Sequence, residues 1–168
     1  YFSTYIHKYK NLNGGKIIYE KLLENDVKNV FMYSGGAIMP LVDCFYKNKI
    51  KYYINAHEQN CGHAATGLAK SSGQTGVCVV TSGPGLTNLV TSMLDANNDS
   101  TPLVVFSGQV PLKAIGTNAF QEAPSIEITK SITKWSYQVK HVNELSYIVD
   151  KAFWIANNKK KGVVHIDL

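Results

Sequence analysis

Short apolar segments alternate with longer amphipathic segments along most of this 168-residue chain. The short segments are rich in Val, Ile, Phe and Tyr, which is typical of strands. The longer segments carry apolar residues three or four positions apart, as at Leu145, Ile148, Val149 and Ala152, which indicates amphipathic helices. Strands that alternate with helices build a parallel sheet covered on both faces. The pattern therefore predicts an α/β fold with an open parallel β-sheet of about six strands, flanked by helices on both faces.

The positions of these elements follow from the same pattern. The predicted strands are Val30–Tyr33, Tyr52–Asn55, Val77–Thr81, Leu103–Ser107, Tyr137–Lys140 and Val163–Asp167. The predicted helices are Gly14–Asn25, Ile38–Lys47, Gln59–Ser71, Gly85–Asn97 and Glu144–Asn157. Glycines follow several predicted strands, at the turns that carry ligands in open α/β sheets.

Composition limits both the class of protein and its partners. Apolar residues make up 45% of the chain and charged residues 17%, which excludes intrinsic disorder, and no apolar run is long enough for a membrane span. All 17 basic residues are Lys, so the chain has no guanidinium group to form bidentate hydrogen bonds with phosphate or guanine. Nucleic acid is therefore not an expected partner. Three cysteines cannot all pair within the chain, which favours a reducing compartment.

The chain contains no internal boundary, repeat or linker. We expect residues 13–168 to form a single domain, and the polar, irregular residues 1–12 to form an N-terminal arm. The chain begins with Tyr rather than Met, so we expect the numbering to begin inside a longer gene product or after processing.

A carboxylate, Glu58, lies at the start of a predicted helix directly after a strand, within the segment 57–63 (His-Glu-Gln-Asn-Cys-Gly-His). This position is at the carboxyl edge of the sheet, where sites form. A zinc protease needs His-Glu-x-x-His, but position 61 is Cys and His63 is six residues from His57, so a metal site is not expected. A carboxylate that only interacts with the helix dipole is the alternative explanation for Glu58.

Two further polar segments follow predicted strands. Residues 81–88 (Thr-Ser-Gly-Pro-Gly-Leu-Thr-Asn) form neither a P-loop nor a Gly-x-Gly-x-x-Gly turn, and they lack the Gly-x-Ser-x-Gly spacing of a hydrolase. Such a loop brings backbone close to a flat ligand, although it also fits an ordinary strand-to-helix turn. Residues 107–110 (Ser-Gly-Gln-Val) and 116–122 (Gly-Thr-Asn-Ala-Phe-Gln-Glu) fit either a cleft lining or an irregular surface loop.

Taken together and in this order, these segments resemble the amino-terminal pyrimidine-binding domain of thiamine-diphosphate enzymes, and most closely that of acetolactate (acetohydroxyacid) synthase catalytic subunits. The resemblance covers residues 14–168 and includes Ser-Gly-Gly-Ala at 34–37 and Asp-Ser-Thr-Pro at 99–102. The Glu58 segment and the Ser-Gly-Pro-Gly turn indicate the superfamily, whereas Gly-Gln-Val and Phe-Gln-Glu indicate the synthase branch. Ser34 and Ala56 stand where the family usually has Pro and Arg.

The resemblance implies a role for each matching residue. Glu58 would be catalytic, because a carboxylate that binds N1′ of the cofactor's aminopyrimidine promotes loss of the thiazolium C2 proton. Gln121 would be the second catalytic residue, in polar contact with the substrate. The expected cofactor-binding residues are Gly35, Gly36, Glu58, Thr81, Pro84 and Asn88, and the expected substrate-facing residues are Ala37, Phe120 and Gln121.

The resemblance also implies partners outside this chain. In the family, a second domain from a partner subunit holds the diphosphate through Mg²⁺, and a middle domain typically binds FAD. The expected reaction decarboxylates pyruvate and joins the two-carbon unit to a second 2-keto acid, in branched-chain amino-acid biosynthesis, within a homodimer or tetramer. Because this chain supplies neither of these further domains, we expect it to be a domain excised from a longer enzyme and to be inactive in isolation. We expect the location to be cytoplasmic or, in a eukaryote, organellar. The alternatives are another thiamine-diphosphate-dependent decarboxylase or carboligase, or a non-catalytic assembly or regulatory domain.

Overall fold

The computed structural model describes Tyr9 and residues 11–168, and it contains a six-stranded parallel sheet. The strands are β1 (Asn29–Met32), β2 (Lys51–Ile54), β3 (Gly76–Val80), β4 (Leu103–Ser107), β5 (Trp135–Gln138) and β6 (Val163–Asp167). Their order across the sheet is β2-β1-β3-β4-β6-β5, and every neighbouring pair is parallel. The prediction of an α/β fold with a parallel sheet of about six strands is confirmed.

Seven α-helices connect these strands in the described part of the chain. They are α1 (Gly14–Glu24), α2 (Met39–Val42), α3 (Glu58–Ser72), α4 (Pro84–Thr87), α5 (Val90–Asn98), α6 (Ser125–Thr129) and α7 (Leu145–Asn157). Short 3₁₀ turns lie at Gly36–Ile38, Asp43–Phe45, Leu112–Ala114 and Val142–Glu144. Within residues 11–168, none of the helices combines the length and the apolar character that a membrane crossing requires.

Two of the predicted helices are wrong in their extent. The segment Ile38–Lys47 is not one helix but α2 between two 3₁₀ turns. Pro40 has no amide hydrogen to donate to the turn before α2, and after α2 the Tyr46 amide bonds the Asp43 carbonyl only three residues back. The segment Gly85–Asn97 is divided into α4 and α5 at Asn88 and Leu89, where the Leu89 amide bonds a carbonyl only three residues back. In addition, α6 was not predicted, and β5 begins two residues earlier than expected.

The buried strands supply apolar side chains to both faces of the sheet. In β3, Val77 and Val79 belong to the core that α1 and α7 cover, whereas Cys78 and Val80 belong to the core beneath α3 and α5. Successive residues of a strand point to opposite faces, so a strand buried on both faces is apolar throughout. This burial fixes the sheet as a rigid base for the loops at its carboxyl edge.

The predicted N-terminal arm falls almost entirely outside the described residues, which include only Tyr9, Asn11 and Leu12 of residues 1–12. Tyr9 is buried, and its hydroxyl donates a hydrogen bond of 2.6 Å to Glu24 Oε1 at the end of α1.

Candidate functional site

The carboxyl edge of the sheet contains a point at which the chain changes direction. From β1 the chain passes to β2 at the sheet edge, and it then returns to place β3 on the other side of β1. The loops that follow β1 and β3 therefore diverge and leave a crevice between them. Ligands of open α/β sheets bind at such a crevice. The predicted residues Gly35, Gly36 and Thr81 all lie on these two loops.

Glu58 is the first residue of α3 and is almost completely buried, with 8% of its surface exposed. His57 precedes it as the N-cap, and its Nδ1 accepts a hydrogen bond of 3.1 Å from the Gln59 amide. The Glu58 carboxylate accepts a hydrogen bond of 2.9 Å from Asn88 Nδ2 through Oε2. Capping by His57 satisfies a backbone donor of the helix and leaves the Glu58 side chain to reach Asn88. The structure thus joins two predicted site residues that are thirty positions apart.

The loop after β3 makes a sharp turn at Gly83. Its φ of 53° and ψ of −109° are unfavourable for any residue with a side chain, and a Cβ there would lie 2.5 Å from the carbonyl oxygen of Gln121. Pro84 then opens α4, which suits its fixed φ and its missing amide hydrogen. This turn brings the loop after β3 into contact with the backbone of Gln121. The two segments therefore meet at Gly83.

Gly35 and Gly36 are adjacent but have different surroundings. A Cβ on Gly35 would lie 2.4 Å from Cβ of Thr81, so Gly35 is required for the packing of the two loops. A Cβ on Gly36 would meet nothing within 4 Å. Packing within this chain therefore does not explain a glycine at position 36, which borders open space.

An apolar cavity of about 740 Å³ opens at the same edge of the sheet. Gly36, Ala37, Phe120 and Gln121 line it, so the structure brings together all three predicted substrate-facing residues. Val110, Pro111, Leu112, Ile115, Val139 and Leu168 supply much of its apolar surface. Glu58, Thr81, Pro84 and Asn88 are not part of this lining.

The turn that carries Phe120 and Gln121 is held by its own next residue. The Glu122 carboxylate accepts hydrogen bonds from the amides of Gly116 and Ala119, the latter at 3.1 Å, and these bonds lower the pKa of the carboxyl group. Gln121 adopts a left-handed conformation with φ of 59°. Phe120 is 88% exposed, which is unusual for a large aromatic side chain. The turn thus presents an apolar ring and an amide at the mouth of the cavity.

A buried polar cluster behind the cavity was not predicted. Ser107 Oγ donates to Asp167 Oδ1 at 2.6 Å and lies 2.8 Å from His165 Nε2, and all three residues are fully buried. Because the single hydroxyl proton of Ser107 goes to Asp167, His165 Nε2 must be the donor to Ser107. Burial lowers the pKa of His165 to about 3, which keeps the ring neutral.

This cluster contains the residue types of a hydrolase triad but not its connectivity. In such a triad the serine donates to the histidine and the histidine donates to the carboxylate. Here the serine donates directly to the carboxylate, and its Oγ is inaccessible. Among the described residues, moreover, no group of three or more His, Cys, Asp or Glu side chains is placed to hold a metal ion. The cluster is therefore a structural support for the edge of the sheet.

Comparison with known proteins assigns the chain to a family. Residues 12–128 match the family described as thiamine pyrophosphate enzyme, N-terminal TPP binding domain. The chain belongs to this family. Thiamine pyrophosphate is the same compound as thiamine diphosphate, so the resemblance inferred from the motifs is confirmed at the level of the family.

Individual relatives of this TPP binding domain are acetolactate synthases. The chain is 49% identical over 158 residues to the mitochondrial acetolactate synthase catalytic subunit of Saccharomyces cerevisiae, covering 94% of this chain and 23% of the relative. It is 45% identical over 160 residues to the acetolactate synthase large subunit of Lactococcus lactis, covering 95% of this chain and 28% of the relative. It is 44% identical over 156 residues to the chloroplastic acetolactate synthase 1 of Zea mays, covering 92% of this chain and 24% of the relative. The TPP binding domain thus spans about a quarter of the length of these relatives.

The structure of this TPP binding domain fits the aminopyrimidine of the cofactor. Thr81 Oγ1 is buried and has no hydrogen-bond partner within the described chain, although such groups are normally paired. Gly36 borders open space at the loop after β1, and Glu58, at the start of α3, offers a buried carboxylate that pairs with Asn88 after β3. A flat ring with nitrogen donors would satisfy these polar groups and occupy space that the chain itself leaves empty.

Proposed function

We propose that this domain supplies the pyrimidine-binding half of the active site of an acetolactate synthase. The enzyme would decarboxylate pyruvate and join the two-carbon unit to a second 2-keto acid, a reaction of branched-chain amino-acid biosynthesis. The observation that carries this proposal is the buried Glu58–Asn88 pair at the carboxyl edge of the sheet. The names of the relatives in fungi, bacteria and plants support acetolactate synthase over another thiamine-diphosphate-dependent carboligase.

Glu58 is the residue that we assign to proton transfer. Thiamine diphosphate, when bound, supplies a carbon nucleophile that adds to a 2-keto acid and accepts electrons as carbon dioxide leaves. The Glu58 carboxylate would accept a hydrogen bond from the pyrimidine ring, and Asn88 would hold the carboxylate in place. Thr81 would bind the ring through its unpaired hydroxyl. Gly35, Gly36 and Pro84 would shape the loops against the ring.

Ala37, Phe120 and Gln121 are the residues that we assign to the substrate side. All three line the apolar cavity, where an exposed ring and one amide suit a small keto acid with an apolar end. Gln121 would donate a hydrogen bond to a carbonyl or carboxylate oxygen, and Phe120 would exclude water from the reacting atoms.

The remaining parts of the active site would come from outside residues 13–168, which we propose to act as one domain of a longer enzyme. A domain of the partner subunit would hold the diphosphate through Mg²⁺, and FAD would bind elsewhere in the full-length protein. The support is that the relatives are about four times longer than the matched region. We therefore propose a homodimer or tetramer as the active form, an inactive isolated domain, and a cytoplasmic or organellar location.

The test measures acetolactate formation from pyruvate by the full-length protein with thiamine diphosphate and Mg²⁺. A well-placed proton-transfer group contributes about 10² to 10⁴ in rate, so Glu58→Gln is expected to lower kcat by that factor. Glu20→Gln, the same change at an exposed carboxylate on α1, serves as the matched control and should leave kcat unchanged.

Other outcomes identify the alternatives. Product from glyoxylate or sulfoacetaldehyde but not from pyruvate alone would indicate a different carboligase. Turnover that Glu58→Gln leaves unaltered would indicate a domain that serves assembly or regulation, and it would refute the assignment of Glu58.

A further inference from the structure

The Phe120–Gln121 turn has few connections to the rest of the domain. Residues 111–123 leave the end of β4 and return at α6, and the hydrogen bonds within them are local. Hydrogen bonds from Ser125 join this segment to the adjoining α6. Apart from these, one hydrogen bond in the described chain joins the segment to the body of the domain. Gln109 Nε2 donates it to the Ala123 carbonyl oxygen at 3.1 Å. The position of the turn therefore depends on what holds the Gln109 side chain.

The Gln109 side chain is fixed at both ends of its amide. Its Oε1 accepts a hydrogen bond of 2.8 Å from the Val110 amide, and its Nε2 lies 3.0 Å from Ser125 Oγ and 3.1 Å from Asp167 Oδ2. The Gln109 backbone amide also donates to the Leu168 carbonyl at 2.9 Å. With 9% of its surface exposed, the residue has little freedom to rotate. Gln109 thus connects β6 to the end of the turn.

Asp167 is the anchor of this connection. It is fully buried and accepts from Ser107 through Oδ1 and from Gln109 and Gln138 through Oδ2. No salt bridge to it exists among the described residues, so these neutral donors stabilise the carboxylate. Hydrogen bonds to a carboxylate are stronger and more directional than bonds to a neutral acceptor. The buried carboxylate therefore holds Gln109 in a single orientation.

We propose that Gln109, anchored on the buried carboxylate of Asp167, is a positioning residue that fixes the Phe120–Gln121 turn at the mouth of the cavity. The proposal rests on the function proposed above, in which Gln121 contacts the substrate. Gln109 also lines the cavity, but its side-chain amide is occupied by hydrogen bonds with Val110, Ala123 and Asp167, so it acts through the Ala123 carbonyl, two residues beyond Gln121. The Gln121 backbone also lies against Gly83 in the loop after β3.

The test compares variants of the full-length protein by hydrogen exchange and by steady-state kinetics. Gln109→Met keeps the length of the side chain and removes its hydrogen bonds. Thr129→Val is the matched control, because Thr129 is also buried in the same polar cluster but has no hydrogen bond to residues 111–123. Gln109→Asn, which keeps an amide but is too short to span Ala123 and Asp167, is used if Gln109→Met does not fold.

We expect Gln109→Met to speed amide exchange at least tenfold in residues 116–122 and to lower kcat/KM for pyruvate at least tenfold. The concentration of thiamine diphosphate at half-saturation should stay unchanged, since Glu58 and Thr81 are not affected. Misplacement of a substrate-contacting group by about 1 Å is enough for such a loss. The double variant Gln109→Met/Asp167→Asn should lose less kcat/KM than the sum of the losses, in free energy, of the two single variants, because both residues act through one connection.

Equal effects of Gln109→Met and Thr129→Val on exchange and kinetics would overturn the proposal, as would no effect of either. Exchange needs no turnover, so it tests the position of the turn even if the parent protein makes no acetolactate. A parent protein that makes no acetolactate would refute the function proposed above, and not the positioning role of Gln109.

Discussion

Two glycines of α3 allow a direct test of how this helix packs. A Cβ added to Gly62 would lie 1.9 Å from Oγ and 2.5 Å from Cβ of the buried Ser92 on α5. Rotation of Ser92 moves its Oγ but not its Cβ. Carbon atoms in contact are normally about 3.5 Å apart or more, so α3 and α5 would have to separate by about 1 Å. Gly67, one and a half turns later, is exposed, and a Cβ there would meet nothing within 4 Å.

The two substitutions should therefore change stability in opposite directions. Overpacking lowers the free energy of unfolding by about 1–3 kcal/mol, and replacing a helical Gly by Ala raises it by about 0.5–1 kcal/mol. We therefore expect Gly62→Ala to lower the free energy of unfolding by about 1–2 kcal/mol. Gly67→Ala should gain about 0.5–1 kcal/mol. At about 2–4 °C per kcal/mol, Tm should fall by about 2–8 °C for Gly62→Ala and rise by about 1–4 °C for Gly67→Ala.

Thermal unfolding followed by circular dichroism measures both changes. Adding Ser92→Gly to Gly62→Ala removes the opposing Cβ and should recover part of the loss, whereas adding Ser92→Ala should not. A rise in Tm for Gly62→Ala, similar to that for Gly67→Ala, would show that α3 and α5 are not in close contact and would refute the reasoning.

Three further predictions concern buried ionisable groups. His165 stays neutral when folded to a pH of about 3 but is protonated when unfolded below about 6.5, so stability should fall by up to about 1.4 kcal/mol per pH unit as pH drops between these values. Urea unfolding of His165→Gln should show a weaker dependence. Burial raises the pKa of Cys61 to about 11, so mass spectrometry should find maleimide on the partly exposed Cys44 first. Lys21→Met removes the partner of two carboxylates, at 2.6 and 2.7 Å, that are about one-third exposed, and its free energy of unfolding should fall by about 1–2 kcal/mol.

Burial explains part of how well the sequence predicts each strand, although the buried β3 begins and ends one residue earlier than predicted. The bounds of Leu103–Ser107 and Val163–Asp167 agree with the structure, because both strands are buried on both faces and are therefore apolar runs with clear ends. Trp135–Gln138 lies at the edge of the sheet, and each of its residues is only partly buried. Its mixed composition has no sharp boundary, so its predicted start was two residues late.

The parts of the candidate site also differ in how far the sequence predicts them. The place of Glu58 in the fold could be predicted from one short segment, because the end of a strand, the start of a helix and a carboxylate are adjacent in the chain. The connection from Gln109 to Asp167 spans 58 residues and depends on the pairing of β4 with β6, in which Ser107 lies opposite Asp167. The signal in the sequence was the alternation of His165 and Asp167 with apolar residues in the last strand. It indicates a polar position on one face but does not identify the partner.

The two halves of the site depend on different parts of the sheet. Glu58 and Asn88 are positioned by the segments after β2 and β3, whereas the Phe120–Gln121 turn is held from β4 and β6 through Gln109. They meet where Gly83 contacts the Gln121 backbone. Because each half has its own anchor, a change in the β6 anchor should affect the proposed substrate side without altering Glu58. A residue with a side chain at Gly83 would disturb both halves at once.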